Sequence, residues 1–172
     1  MKLGWAAAFA LALIAASPGV AQEAKGRHEI LAQMPKELGG APGVSVGDGM
    51  MLYPSAKPGR DPTIGVMIVK TEKVVDLAEL RSSMRKGTPE GSVRGILREG
   101  TFTTANWPGA GTFFGEYATD IGISQNWALT TGKQNMLVSI TALDKKSAKR
   151  AEAEVAEKIF GGAVISASKQ AE

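Results

Sequence analysis

Four segments between Val93 and Leu143 constrain this chain more than any other feature. Residues 93–104, 112–119, 121–130 and 135–143 each read as strand. Turn signals part them: Asn106-Trp107-Pro108-Gly109, then Asp120 with Gly122, then Thr131-Gly132-Lys133. Ile121, Ile123, Trp127 and Leu129 alternate with polar or small neighbours, as do Met136, Val138, Ile140 and Ala142. Period-two alternation across short connections predicts an antiparallel meander with one buried face. That apolar face must be covered by something else in the chain.

Two amphipathic segments are available to cover it. Asp76 can cap a helix with Glu79 at the third position, while Val75 and Leu80 form a hydrophobic staple. Leu77, Leu80 and Met84 line one face; Gly87 offers a left-handed stop, with Pro89 just beyond. This predicts a helix over 76–86. Asp144 caps a second helix running to about Phe160. Its apolar stripe is Ala148, Ala151, Val155 and Ile159, and Gly161-Gly162 ends it. Ala163 to Ser166 adds a short edge strand.

Upstream, Val44 to Tyr53 reads as strand, with Gly47-Asp48-Gly49 as a tight turn within it. Residues 54–62 form a polar loop with three prolines. Thr63 to Lys70 is an apolar, β-branched run that reads as an interior strand. In the segment 22–42, Ile30, Leu31, Met34 and Leu38 have roughly helical spacing, Pro35 keeps the helix short, and Gly39 to Gly43 is a loop. The expected fold class is therefore α+β, an antiparallel sheet with covering helices in the order ββαββββα. A single domain spans 43–166, and residues 167–172 form a frayed tail.

Residues 1–21 read as a secretory signal peptide, cleaved after Ala21. Lys2 supplies the positive start, Trp5 to Ala16 the apolar run, and Gly19-Val20-Ala21 the small residues at the cut. A spanning helix needs about 20 apolar residues, more than this run provides. The expected location is the periplasm, with secretion as the alternative. After cleavage no integral membrane segment remains. The chain has no cysteine, which removes disulfides and lipid attachment at a leading cysteine. Beyond the leader, 19 Lys and Arg face 17 Asp and Glu. That near balance gives no electrostatic case for nucleic acid. The densest basic run, Lys145-Lys146 with Lys149-Arg150, meets acids one turn later.

The segments VSVGDGMMLYPS, VDLAELRSSM after TIGVMIVK, TFFGEY, GISQNWALTTGKQNMLVSITA and DKKSAKRAEAEVAEKIF follow one another in a familiar order. The chain resembles the PsbP-like superfamily, which also holds bacterial envelope proteins of the DcrB type and Mog-type Ran-binding factors. The likeness covers most of 43–165 and is one of pattern. It implies a sandwich fold and a binding or assembly role rather than catalysis. Metal sites of plant members do not carry over, because no ligand residues match.

The residues themselves argue against several chemistries. The one histidine is His28, in the N-terminal segment, and the sequence has no G-x-S-x-G elbow, which argues against a Ser/His/acid triad. One histidine and no cysteine leave no ordinary zinc set. No calcium loop is present, and Asp48 reads as a turn residue. The glycine clusters lack the endings of phosphate-binding loops. No cofactor and no metal is expected, and the chain reads as a non-enzyme. Glu99 and Glu116 fall on neighbouring predicted strands, with Arg94 and Arg98 near; cross-strand ion pairing on a solvated face is the expected arrangement.

Trp107, Phe113, Phe114, Tyr117 and Trp127 crowd into 21 residues. Phe113, Tyr117 and Trp127 are expected in the core beneath the helices. Trp107, in the turn Asn106-Trp107-Pro108, is a candidate anchor for a partner. It can equally fold back to cap the sheet edge. The contact residues singled out are Asn106, Trp107, Pro108, Tyr117 and Trp127. The expected function is an exported, soluble binding or assembly factor for a cell-envelope component. The alternative is a periplasmic carrier of a small apolar molecule or lipid, with the ligand between sheet and helices; an enzyme of unrecognised type comes third. Accordingly the partner is an envelope protein or a small apolar ligand, and nothing in the sequence sets an oligomeric state.

Overall fold

The alternating segments become the long strands of one antiparallel sheet. A computed structural model describes residues 30–47, 49–69, 76–87, 91–131 and 134–169. The expectations for residues 1–21, His28, Asp48, Val75 and Pro89 lie outside the described residues. The strands are β1 (Glu37–Leu38), β2 (Ala41–Pro42), β3 (Val44–Ser45), β4 (Met50–Tyr53), β5 (Thr63–Val69), β6 (Val93–Thr103), β7 (Gly111–Thr119), β8 (Gly122–Thr130), β9 (Asn135–Ala142) and β10 (Val164–Lys169). Two helices lie wholly among the described residues, α1 (Leu77–Lys86), between β5 and β6, and α2 (Lys145–Lys158), between β9 and β10; Ile30 and Leu31 are also helical. Eight strands form one sheet in the order β10-β6-β7-β8-β9-β5-β4-β3, and β1 and β2 form a separate hairpin. The chain is therefore α+β with an antiparallel sheet, as its alternation predicts.

Both helix starts are capped as the sequence indicates. The Asp76 carboxylate accepts from the amides of Ala78 at 2.8 Å and Glu79 at 3.3 Å. Asp144 accepts from the Ser147 amide at 2.9 Å. These caps satisfy amide groups that the first helical turn leaves without partners. Gly87 differs from expectation: its φ of 176° is extended backbone, so α1 does not end in a left-handed residue. Gly39 to Gly43 is also more ordered than a loop. Gly39 and Gly40 take φ of 61° and 80° and close the β1–β2 hairpin. The Gly39 amide donates to Glu154 on α2 at 3.1 Å, which fixes the hairpin to the helix.

The helices do not share one face of the sheet. Paired residues across an antiparallel sheet point to the same side. Phe114 pairs with Trp127, and Trp127 with Val138. That side packs with α2 residues Ala151 and Val155, then Ile159 and Phe160. Phe113 pairs with Ala128 on the other side. There Phe113, Tyr117 and Ala128 pack with Met84, Leu77 and Leu80 of α1. The meander thus has two covered faces where one was expected. Phe113 and Tyr117 lie under α1, and Trp127 lies under α2. β10 continues past Ser166 to Lys169 and pairs along β6.

Loops gather at two opposite ends of the sheet. The loop 104–110 enters β7 at Gly111, and the β7–β8 turn leaves it at Thr119, about nine strand positions or roughly 30 Å away. The start of α2 and the loop 54–62 lie at the Thr119 end, because Ile123 pairs with Ala142 and Thr63 with Thr141.

Candidate functional site

The loop that carries Trp107 is tied to the end of α2. Thr104 Oγ1 donates to the Phe160 carbonyl at 2.6 Å, and Asn106 Nδ2 donates to the Ile159 carbonyl at 3.0 Å. These bonds serve carbonyls at a helix terminus, which the helix itself leaves unpaired. Gly109, at φ 78°, and a bond from the Ala110 amide to the Trp107 carbonyl at 3.3 Å close the turn. The Trp107 ring meets Phe160 edge-on, with centroids 6.1 Å apart. It is half-buried, while Asn106 and Pro108 stay exposed.

Beside it runs an open groove of about 400 Å³ lined by Ile30, Gln33, Met34, Asn106, Trp107, Lys158 and Ile159. Its lining combines two amides, Gln33 and Asn106, with the Trp107 ring, the Met34 thioether and the Lys158 ammonium, which is paired with Glu154. Met34 adapts its shape readily, which suits a surface that must fit a partner. The loop was legible in the sequence. Ile30, Gln33 and Met34 came to it from 72 or more residues upstream, and no sequence pattern joined them to it.

Tyr117 and Trp127 do not belong to this groove. Both are fully buried and point to opposite faces of the sheet. Trp127 is packed among Phe102, Phe114 and Phe160 at centroid distances of 5.1, 5.0 and 5.4 Å. Phe160 touches both tryptophans, so it joins the exposed loop to the core.

The two glutamates form separate polar clusters. Glu99 lies on the α1 side. It accepts from Arg81 Nε at 2.8 Å, Arg85 Nε at 3.0 Å and the Tyr117 hydroxyl at 2.9 Å. Burial alone would raise the Glu99 carboxyl, but the hydrogen bonds from Arg85, Arg81 and Tyr117 outweigh it and hold the group below the usual range. Burial and the neighbouring Glu99 charge push the Tyr117 hydroxyl well up. Glu116 lies on the α2 side, opposite Arg98 in register, and the two are ion-paired. Arg98 also pairs with Glu152, which accepts from Gln125 Nε2 at 2.7 Å, and it sits 5.1 Å from the Phe114 ring centre.

Cross-strand pairing therefore holds for Arg98 and Glu116. The solvated setting does not: both carboxylates are buried, because helices cover both faces. Facing opposite ways, they cannot share a proton as a catalytic pair does. Arg94 stands exposed. Arg81 and Arg85 were not singled out in the sequence, although their i, i+4 spacing puts them on one helix face.

Among the described residues, no group of three or more His, Asp or Glu is placed to hold a metal ion. Compared with protein-family models, curated proteins and solved structures, the chain matches none.

Proposed function

We propose that this chain is an exported, non-enzymatic binding or assembly factor for a cell-envelope component, built as a PsbP-like sandwich. Its leader would direct it to the periplasm, and the surface around Asn106, Trp107 and Pro108 would meet the partner. The observation that carries this reading is the contrast between a closed core and an open groove. Trp127 and Tyr117 are sealed under opposite helices, whereas Trp107 borders a groove open to solvent. A half-buried aromatic held by backbone bonds is preorganised, and preorganised aromatic anchors dominate protein interfaces. A carrier would need room between sheet and helix, where Phe102, Phe114, Trp127 and Phe160 pack ring against ring. An enzyme would need converging unpaired groups, and Glu99 and Glu116 are already ion-paired on opposite faces of the sheet.

The test is native mass spectrometry of the protein drawn gently from its host's envelope extract, beside the Trp107→Ala variant. A co-purifying polypeptide that Trp107→Ala loses is the expected result. A small-mass adduct retained by both would favour the carrier. Co-purification that ignores Trp107→Ala would move the contact elsewhere.

A further inference from the structure

The end of the molecule away from Trp107 gathers basic and apolar groups. Lys145, Lys146 and Lys149 stand exposed on the first two turns of α2. Ser147 Oγ donates to the Arg60 carbonyl at 2.9 Å, and Arg150 pairs with Asp61 at 2.9 Å. These contacts hold the loop 54–62 against α2 and bring up Lys57 and Arg60, both exposed. Two large apolar side chains project at the same end: Leu143 is 57% exposed and Ile121 47%. They are neighbours, since a Cβ on Gly122 would lie 2.9 Å from Leu143 Cα.

The nearby acids are mostly engaged. Asp144 caps α2 and Asp61 holds Arg150. Asp120, beside Ile121, is exposed. Five cations, Lys57, Arg60, Lys145, Lys146 and Lys149, make no ion pair with a carboxylate among the described residues. The first turn of α2 holds no acidic residue. Cations there oppose the helix dipole, which favours negative charge at its start. Asp144 supplies one negative charge at the helix start, but the five cations outnumber it and give this end a surplus of positive charge that suits an external anion.

We propose that this end docks on an anionic phospholipid bilayer. Leu143 and Ile121 enter the headgroup region, and the lysines and Arg60 face lipid phosphates. Exposed apolar tips at the same end as a group of cations are the chemistry of interfacial binding, in which apolar burial and electrostatic attraction add. A soluble polyanion would use the cations and leave Leu143 and Ile121 idle. No helix among the described residues is long and apolar enough to cross a membrane, so the contact is peripheral. Docking this end would leave the Trp107 groove facing away from the lipid. The proposal stands apart from the groove's role.

The test is vesicle flotation of the protein as recovered from its host. Vesicles of phosphatidylcholine alone are compared with vesicles containing one third phosphatidylglycerol, at low and high salt. Binding is expected only to the anionic vesicles and is expected to vanish in high salt. Lys146→Glu with Lys149→Glu should weaken it roughly ten-fold or more. That variant should stay folded, because both side chains are exposed and neither makes an ion pair with a carboxylate among the described residues. Leu143→Ser with Ile121→Ser should also weaken binding while leaving the charge unchanged. Equal binding to neutral vesicles, no binding by the folded parent, or full binding by the folded charge-reversal variant would each overturn the proposal. So would undiminished binding by Leu143→Ser with Ile121→Ser together with equal affinity for dextran sulfate, which would assign the patch to soluble polyanions.

Discussion

The Tyr117 hydroxyl reaches Glu99 by lying across Gly115. Glu99 pairs with Gly115 in the β6–β7 register, and Tyr117 is two residues further along β7. The ring folds back so far that a Cβ on Gly115 would sit 2.4 Å from the Tyr117 hydroxyl. Glycine weakens a strand interior, and one inside a long strand marks a close approach. Here the approach is a tyrosine hydroxyl donating a hydrogen bond to a buried carboxylate.

Gly115→Ala should therefore push Tyr117 off Glu99. The expected loss is about 1–3 kcal/mol, as for other overpacked sites. Gly65→Ala is the matched control, because nothing lies within 4 Å of its Cβ position. It should be neutral or stabilising by up to about 1 kcal/mol. Urea unfolding of the two variants checks the contrast, and equal effects would refute the account of Gly115.

Glu99→Gln should cost about 1–3 kcal/mol, since it removes the acceptor that unites two arginines and a buried hydroxyl. The arginines are part-exposed and can rehydrate, which limits the loss. Arg81→Gln alone should cost about 1 kcal/mol or less, because Arg85 remains on the carboxylate. If Arg81→Gln proved as costly as Glu99→Gln, the shared-anchor reading would fail.

The same cluster sets an acid response. The Glu99 carboxyl is held low in the fold. Its contribution is complete above the unfolded value, about 4.3. It is lost as pH falls through the lower folded value. Melting curves should show the gap between the parent and Glu99→Gln shrinking below about pH 4. Asp144 acts in the same direction, because bonds from the Ser147 amide and hydroxyl keep it ionised. Running the series in an Asp144→Asn background separates the two. A gap constant down to pH 2 would contradict the assignment to Glu99.

The two tryptophans should separate cleanly. Trp127→Ala removes a fully buried ring from an aromatic cluster and should cost about 3–5 kcal/mol. Trp107→Ala removes a half-buried ring with one aromatic neighbour and should cost about 1 kcal/mol. Thermal unfolding measures both. A Trp107→Ala loss as large as that of Trp127→Ala would make Trp107 a core residue and weaken its assignment as an anchor.

The sequence alone determined what depends on near neighbours. Alternation placed β6 to β9, the carboxylates of Asp76 and Asp144 marked both helix starts, and the Asn106-Trp107-Pro108 turn marked the candidate contact. Each rests on interactions within a few residues, so a local pattern carries it. Only the tertiary structure decided which face each helix covers. The strands alternate, but with helices on both sides the second set of side chains is buried as well, and alternation cannot name the partner of either set. Register decided that Glu99 and Glu116 point apart, each to its own arginines, since a shift of one residue in β6 against β7 would change the side a residue shares with its partner. Packing over long sequence separations brought Met34 and Lys158 to Trp107, and set Phe160 between Trp107 and Trp127. Those contacts come from how helices seat on a twisted sheet, which no window of neighbouring residues contains.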